Sequence, residues 1–337
     1  MNNSDRAIEQ AINDALLAAS LAPSAHNTQP WAYIREGNLI RVLRSIERTL
    51  GVGDPTTREA CLSIGMFIKC FELSIADSGY SAEVTVPFSL VADLEVAFIE
   101  VTGDPSGTSP GNPDPSHLLD VLQRRQTNRG LYEPSEDVEW LDGWKCQSED
   151  VELFSFTTDD DKSMLADLVG QGVRLALSLP AMRDELASLV HWKSEPFEIG
   201  MPLEAMSGIE EINVAAPKAF LASADPKSEE LALAERYRSA PVIVVLSTVR
   251  DDPQSWIETG RECARILLRA AQDNLAHCIA AGPIEIPTLA PLVRAATGSE
   301  LRPQLLFRVG RPLESNFSVK SPRIPWRELE IAEGHLA

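Results

Sequence analysis

Apolar residues recur at helical spacing near the start of the chain. Ile8, Ile12, Ala15 and Leu16 share one face of a helix ending near residue 21, and Ser4 or Asp5 stands where a cap belongs. Alternating runs over 31–35 and 39–43, separated by Gly37-Asn38, predict a β-hairpin. Residues 57–78 read as a helix apolar almost all round (Cys61, Ile64, Met66, Phe67, Ile68, Phe71, Leu73, Ile75), which belongs at the centre of a fold; Gly79 ends it. Strands are expected at 80–86, 94–101, 151–157, 240–249 and 305–309. Helices are expected at 116–125, 160–179, 182–190, 227–238 and 253–274, with Asp252 capping the last.

Two stretches break this pattern. Residues 103–115, GDPSGTSPGNPDP, have the composition of a linker. Residues 193–208, KSEPFEIGMPLEAMSG, contain Pro196 and Pro202, yet stay apolar through Phe197, Ile199, Met201, Leu203 and Met206. An apolar irregular segment must lie on something, as a loop packed on the body or as a lid over a pocket.

Two polar clusters stand out. Residues 21–31, LAPSAHNTQPW, place Ser24, Asn27, Thr28 and Gln29 between a helix-stopping Pro23 and Pro30-Trp31. Alone, they make an ordinary helix-to-strand loop with capping residues. The second cluster is RRQTNR, with Arg124, Arg125 and Arg129 within six residues. It fits either a helix C-terminus offering cations to its own dipole or an anion site of guanidinium forks and a hydroxyl.

Charge sharpens the question. The 337 residues carry 50 acidic and 30 basic side chains, a net charge of -20. That argues against a nucleic-acid partner or an anionic membrane surface, so any bound anion must meet a local basic cluster. Five cysteines without a CxxC pair suit free thiols in a reducing compartment. With no signal-like N-terminus and no apolar run long enough to span a bilayer, a cytoplasmic protein is expected. The five histidines lack ligand spacing, and Walker, HExxH and GxSxG motifs are missing, so no metal site or Ser-His triad is predicted.

The halves of the chain echo each other. A shift of 195 residues pairs Gly65 with Gly260, Leu73 with Leu268 and Ala76 with Ala271, and strands ending FIEVTGDP and LLFRVGRP follow the two helices. Element order agrees, which suggests a fused pseudo-dimer with small-residue helix faces at its seam.

Together these residues resemble the FMN-dependent nitroreductase family. APSAHNTQPW is similar to its APSxxNxQPW segment, and RRQTNR followed by GLYEP to its RRSxRxF opening. GPIE, RVGRP and the late KSPR are similar to its C-terminal half. The opening normally precedes the QPW segment, whereas here it begins the second half. This order and the GMPLE stretch look most like the Acg-like subgroup, in which one chain carries two nitroreductase-like halves and a lid. The resemblance implies an α+β, nitroreductase-like fold: an internally duplicated pseudo-dimer with antiparallel-rich sheets flanked by helices. Its halves would be residues 1–108 and 109–337, with the lid at 193–208.

The resemblance also implies a site. Arg125, Thr127 and Arg129, with Lys320 and Arg323, match positions that hold the FMN phosphate. Pro283, Ile284 and Glu285 match the segment whose backbone faces the isoalloxazine near its reactive nitrogen. Pro23 and Ser24 match residues reaching the pyrimidine edge from the other half, while Asn27 and Gln29 are expected to hold their loop in place. The first half lacks the RxTxR opening and the second lacks PSxxNxQPW, so at most one FMN per chain is expected, in a monomer. The function implied is an oxidoreductase in which NAD(P)H reduces FMN and a nitro compound or quinone is then reduced, by ping-pong hydride transfer with no catalytic side chain. The alternative is a protein that stores or sequesters FMN under the lid with little turnover.

Overall fold

The computed structural model describes residues 3–87, 94–103, 115–135, 138–208, 217–313 and 317–332. Residues 104–114 of the expected linker lie outside them. Helix α1 (Asn3–Ser20) starts ahead of the expected caps, so Asp5 falls in its first turn. A 3-10 turn at Ala25–Asn27 leads into the hairpin of β1 (Trp31–Glu36) and β2 (Leu39–Arg44), which pair antiparallel around Gly37 at φ +63°. Helix α2 (Arg58–Asp77), β3 (Ser81–Thr85) and β4 (Glu95–Thr102) complete the first region. Its sheet is antiparallel in the order β1-β2-β4-β3.

Helix α3 (Pro115–Arg124) opens the second region. Strand β5 (Val151–Phe156), α4 (Asp159–Ser178) and α5 (Pro180–Ser188) follow. Next come two short parallel strands, β6 (Val190–His191) and β7 (Met201–Pro202), with α6 (Leu203–Ser207) and α7 (Pro217–Ser223). The chain continues through α8 (Pro226–Arg238), β8 (Val242–Thr248) and α9 (Pro253–Gln272). It closes with β9 (Ala276–Ala280), the turn α10 (Gly282–Glu285), α11 (Ala290–Thr297) and β10 (Arg302–Gly310). The second sheet, β5-β8-β10-β9, is again antiparallel. The two sheets therefore share one topology: two strands, a long helix, then a strand pair whose later member lies inside.

The helices paired by the sequence repeat lie on each other. A Cβ built on Gly65 of α2 would sit 2.1 Å from the Ile257 carbonyl oxygen of α9, and one on Gly260 would sit 2.0 Å from that of Leu62. Only glycine permits so close a backbone approach. One apolar core runs from α1 and the first sheet through this seam to β8 and β10. A second lies across the other face of the second sheet, beneath α4 and Tyr237 of α8. Strand β8 is buried on both faces, as its continuous β-branched run requires. Val190, Trp192, Met201, Leu203 and Leu221 form a third, small cluster, a satellite with its own packing. The C-terminal segment returns to the first region: the Ile331 N–H donates to the Tyr33 carbonyl at 2.9 Å, and the Tyr33 hydroxyl to that of Trp326 at 3.0 Å.

Candidate anion site

The loop after α1 is held in an unusual backbone. His26, Asn27 and Gln29 have φ of 48°, 57° and 50°, three left-handed residues within four positions, none of them glycine. Such conformations cost free energy and persist where the surroundings over-determine them. Here the Gln29 N–H donates to Ser24 Oγ at 3.0 Å, and the Ala25 N–H to Ser63 Oγ of α2 at 3.4 Å. Arg48 clamps the carbonyls of Gln29 and Trp31 at 2.9 and 2.6 Å. Trp31, fully buried, packs on Phe67 with ring centroids 5.3 Å apart.

The segment after α3 is fastened just as firmly. The Asn128 N–H donates to the His277 carbonyl at 2.9 Å, and the Tyr132 hydroxyl to that of Asn128 at 3.0 Å. Arg308 is fully buried, donates to the Gly130 carbonyl at 2.6 Å and lies over the ring of Tyr132 at 4.2 Å.

These two segments and residues 319–323 enclose one cavity. Pro23 and Ser24 line it with Arg125, Thr127, Arg129, Lys320 and Arg323. Seven of the residues expected at a flavin are thus together. Pro283, Ile284 and Glu285 are not part of this lining. Pro283 and Ile284 are buried, and Glu285 lies against Arg58, its Oε1 3.7 Å from Nη2. Asn27 and Gln29 do more than hold their own loop. Asn27 Nδ2 donates to the carbonyls of Gly200 and Pro322 at 3.0 and 2.9 Å. Gln29 Nε2 donates to that of Glu198 at 2.7 Å, and its Oε1 accepts from the Ile324 N–H at 2.9 Å.

Four cations face this space, and among the described residues none forms an ion pair with a carboxylate. Arg125 is 8% exposed and its Nε has no hydrogen-bond partner; Arg323 Nε is likewise buried without one. Burial, then the charge of Arg125, pushes the Arg323 guanidinium down to about 9, and burial also lowers that of Arg125. His277 is buried, and burial with the charges of Arg125 and Arg129 holds its pKa well below the usual value. It is therefore neutral, and its Nε2, 3.3 Å from Arg125 Nη1, is the acceptor that steadies that guanidinium. Crowded cations without counter-charges are stabilised by an anion; a phosphate offers the charge and the oxygens to use several forks at once.

One residue beside the site carried no recognisable signal in the sequence. His277 was one of five scattered histidines. Met201 and Ala205 reach the cavity from the irregular stretch, with Met201 Sδ 3.1 Å from Arg129 Nη2. Residues 193–208 were expected as a packed loop or a lid from their apolar character and from the resemblance of the GMPLE segment.

No family model matches the chain. It is 26% identical over 328 residues to the putative NAD(P)H nitroreductase Acg of Mycobacterium tuberculosis, covering 95% of this chain and 94% of that protein. It is 25% identical over 334 residues to the uncharacterized protein Rv3127 of the same organism, covering 93% and 91%. The crystal structure of a putative nitroreductase from Anabaena variabilis aligns with 93% of this chain and 90% of its own, at 16% identity and a TM-score of 0.46. The chain is thus similar to Acg and to Rv3127 along nearly its whole length. Among the described residues, no helix is long and apolar enough to cross a membrane.

Proposed function

We propose that the cavity takes FMN by its phosphate and that the chain is an NAD(P)H-dependent oxidoreductase of the nitroreductase type. The observation that carries this reading is the convergence of Arg125, Arg129, Lys320 and Arg323 on one space without a carboxylate, in a chain of net charge -20. A phosphate monoester brings about two negative charges. Arg125, Thr127, Arg129, Lys320 and Arg323 would hold it. Pro23 and Ser24 would approach the pyrimidine edge, and the backbone of Pro283, Ile284 and Glu285 would face the ring.

Bound there, FMN would supply two-electron chemistry, passing a hydride in ping-pong fashion from NAD(P)H to an electron-poor acceptor such as a nitro compound or quinone. The residues named bind and orient, and none is assigned a catalytic role. We read residues 1–108 and 109–337 as two nitroreductase-like halves, supported by the shared sheet topology and the Gly65–Gly260 seam. With one RxTxR segment and one PSxxNxQPW segment, this gives a single FMN per monomeric chain.

A second reading is favoured by Met201 and Ala205 standing at the cavity: residues 193–208 act as a lid, and the protein stores FMN with little turnover. A visible spectrum of the purified protein with added NAD(P)H separates the two. Flavin bands at one equivalent per chain that bleach within seconds support the reductase. Bands that bleach only with dithionite support storage. A protein that takes up no FMN contradicts both.

A further inference from the structure

We infer that Asn27 is a positioning residue through which residues 198–201 and a bound anion compete for the arginines of the cavity; this rests on the anion-binding reading of that cavity. Asn27 is 6% exposed and its amide is engaged at both ends. Its Oδ1 accepts from Arg323 Nη1. Its Nδ2 donates to the carbonyls of Gly200 and Pro322, and its own carbonyl accepts from the Gly200 N–H at 3.3 Å. One side chain therefore fixes both the lid and a cation of the site.

The next lid residue touches a second cation, through Met201 Sδ at 3.1 Å from Arg129 Nη2. Gly200 makes this path possible: its φ is +102°, and a Cβ there would lie 2.4 Å from the Leu189 carbonyl oxygen. A thioether is a weak acceptor and an amide oxygen a neutral one, whereas a phosphate oxygen forms charge-assisted bonds about twice as strong. An anion that takes Arg129 removes the partner of Met201. One that draws Arg323 away removes the donor that orients the Asn27 amide, and the lid then loses an anchor. Linkage makes the effect reciprocal, so loosening the lid without adding charge tightens anion binding.

Two substitutions tolerate the left-handed φ of 57° at this position and separate the possibilities. Asn27→Gly removes both sets of bonds. Asn27→Asp loses the side-chain bonds to the lid but gives Arg323 a carboxylate. Hydrogen exchange of the full chain, followed in peptides over 198–202 with β8 as the internal control, is measured with and without FMN or inorganic phosphate. FMN affinity is measured in parallel. In the wild type, FMN should speed exchange at 198–202. Both variants should exchange fast there without ligand. Asn27→Gly should bind FMN about 3- to 10-fold more tightly, the worth of one hydrogen bond, and Asn27→Asp about 10-fold more weakly. Met201→Ala should tighten binding about 3-fold and serves if position 27 proves intolerant.

A lid role without competition would leave both Asn27 variants weaker, and that result overturns the inference. So does FMN that binds the wild type while leaving exchange at 198–202 unchanged or slower; the flavin reading would survive it. If FMN is not taken up but phosphate speeds exchange at 198–202, the inference stands and the flavin reading falls. If neither ligand binds, both fall.

Discussion

Two charged clusters in this protein are opposites. Around the cavity, Arg125, Arg129, Lys320 and Arg323 gather with no carboxylate among the described residues that line it. At the start of α2, Arg58 pairs with Glu59 at 2.7 Å and Glu285 at 3.7 Å, and Asp54 joins the group of carboxylates, its Oδ2 accepting from the Ala60 N–H at 2.9 Å. The carboxylate cluster balances itself by holding protons. Burial first, and the charge of Glu59 next, push Glu285 up to about 9, and burial pushes Asp54 to about 6. Arginine has no such escape, because it stays protonated. Excess positive charge must be met from outside, and this difference is why the cavity is read as a binding site and the α2 cluster as structure.

The comparison can be broken most sharply at the cations. Arg125→Ala with Arg129→Ala should weaken FMN binding by about 1,000-fold, roughly 4 kcal/mol for two charge-assisted contacts. Thermal unfolding without ligand should be unchanged or raised, because like charges are removed. Arg58→Met deletes a cation too, yet should destabilise the fold by about 3 kcal/mol, since it strands buried carboxylates. A denaturant titration of both variants checks that the signs differ.

The smallest effect lies with Glu285. Its carboxyl ionises near 4.5 ordinarily and near 9 in the fold. Between those values the unfolded chain binds fewer protons than the native one, so this group lowers stability as pH rises from about 4.5 to 9. Glu285→Gln should remove that part of the pH dependence, so that the variant gains stability relative to the wild type as pH rises from 5 to 8. Unfolding midpoints at pH 5 and pH 8 test it; a variant that loses stability equally at both contradicts the account.

Much of this was legible in the chain. The all-round apolar pattern of residues 57–78 announced a central helix, and the pairing of Gly65 with Gly260 announced where it would meet its counterpart. Arg125 and Arg129 stood out as a basic cluster in an acidic chain, open to either a helix-dipole or an anion-site reading, whereas Arg323 was reached only through the resemblance of the late KSPR. Short-range patterns could not reveal β6, β7 or the single turn α6, because elements of two to five residues complete no period. Nor could they reveal that Asn27 reaches Gly200 and Arg323. Those contacts join residues more than 170 positions apart and depend on a left-handed backbone that only the folded loop enforces. Pro283, Ile284 and Glu285 were expected at the ring by motif, yet they do not line the cavity, and the Glu285 side chain faces the carboxylate cluster beside Arg58.

The central claim is that the arginine-lined cavity recognises a phosphate. Its most direct test is a fluorescence titration of the wild-type protein with FMN and, in parallel, with riboflavin, which has the same ring and no phosphate. FMN should bind at one equivalent per chain and about 1,000-fold more tightly than riboflavin, the same worth of two charge-assisted contacts. Equal affinity for the two would mean that these arginines do not face a phosphate, and the site would have to be sought elsewhere on the molecule.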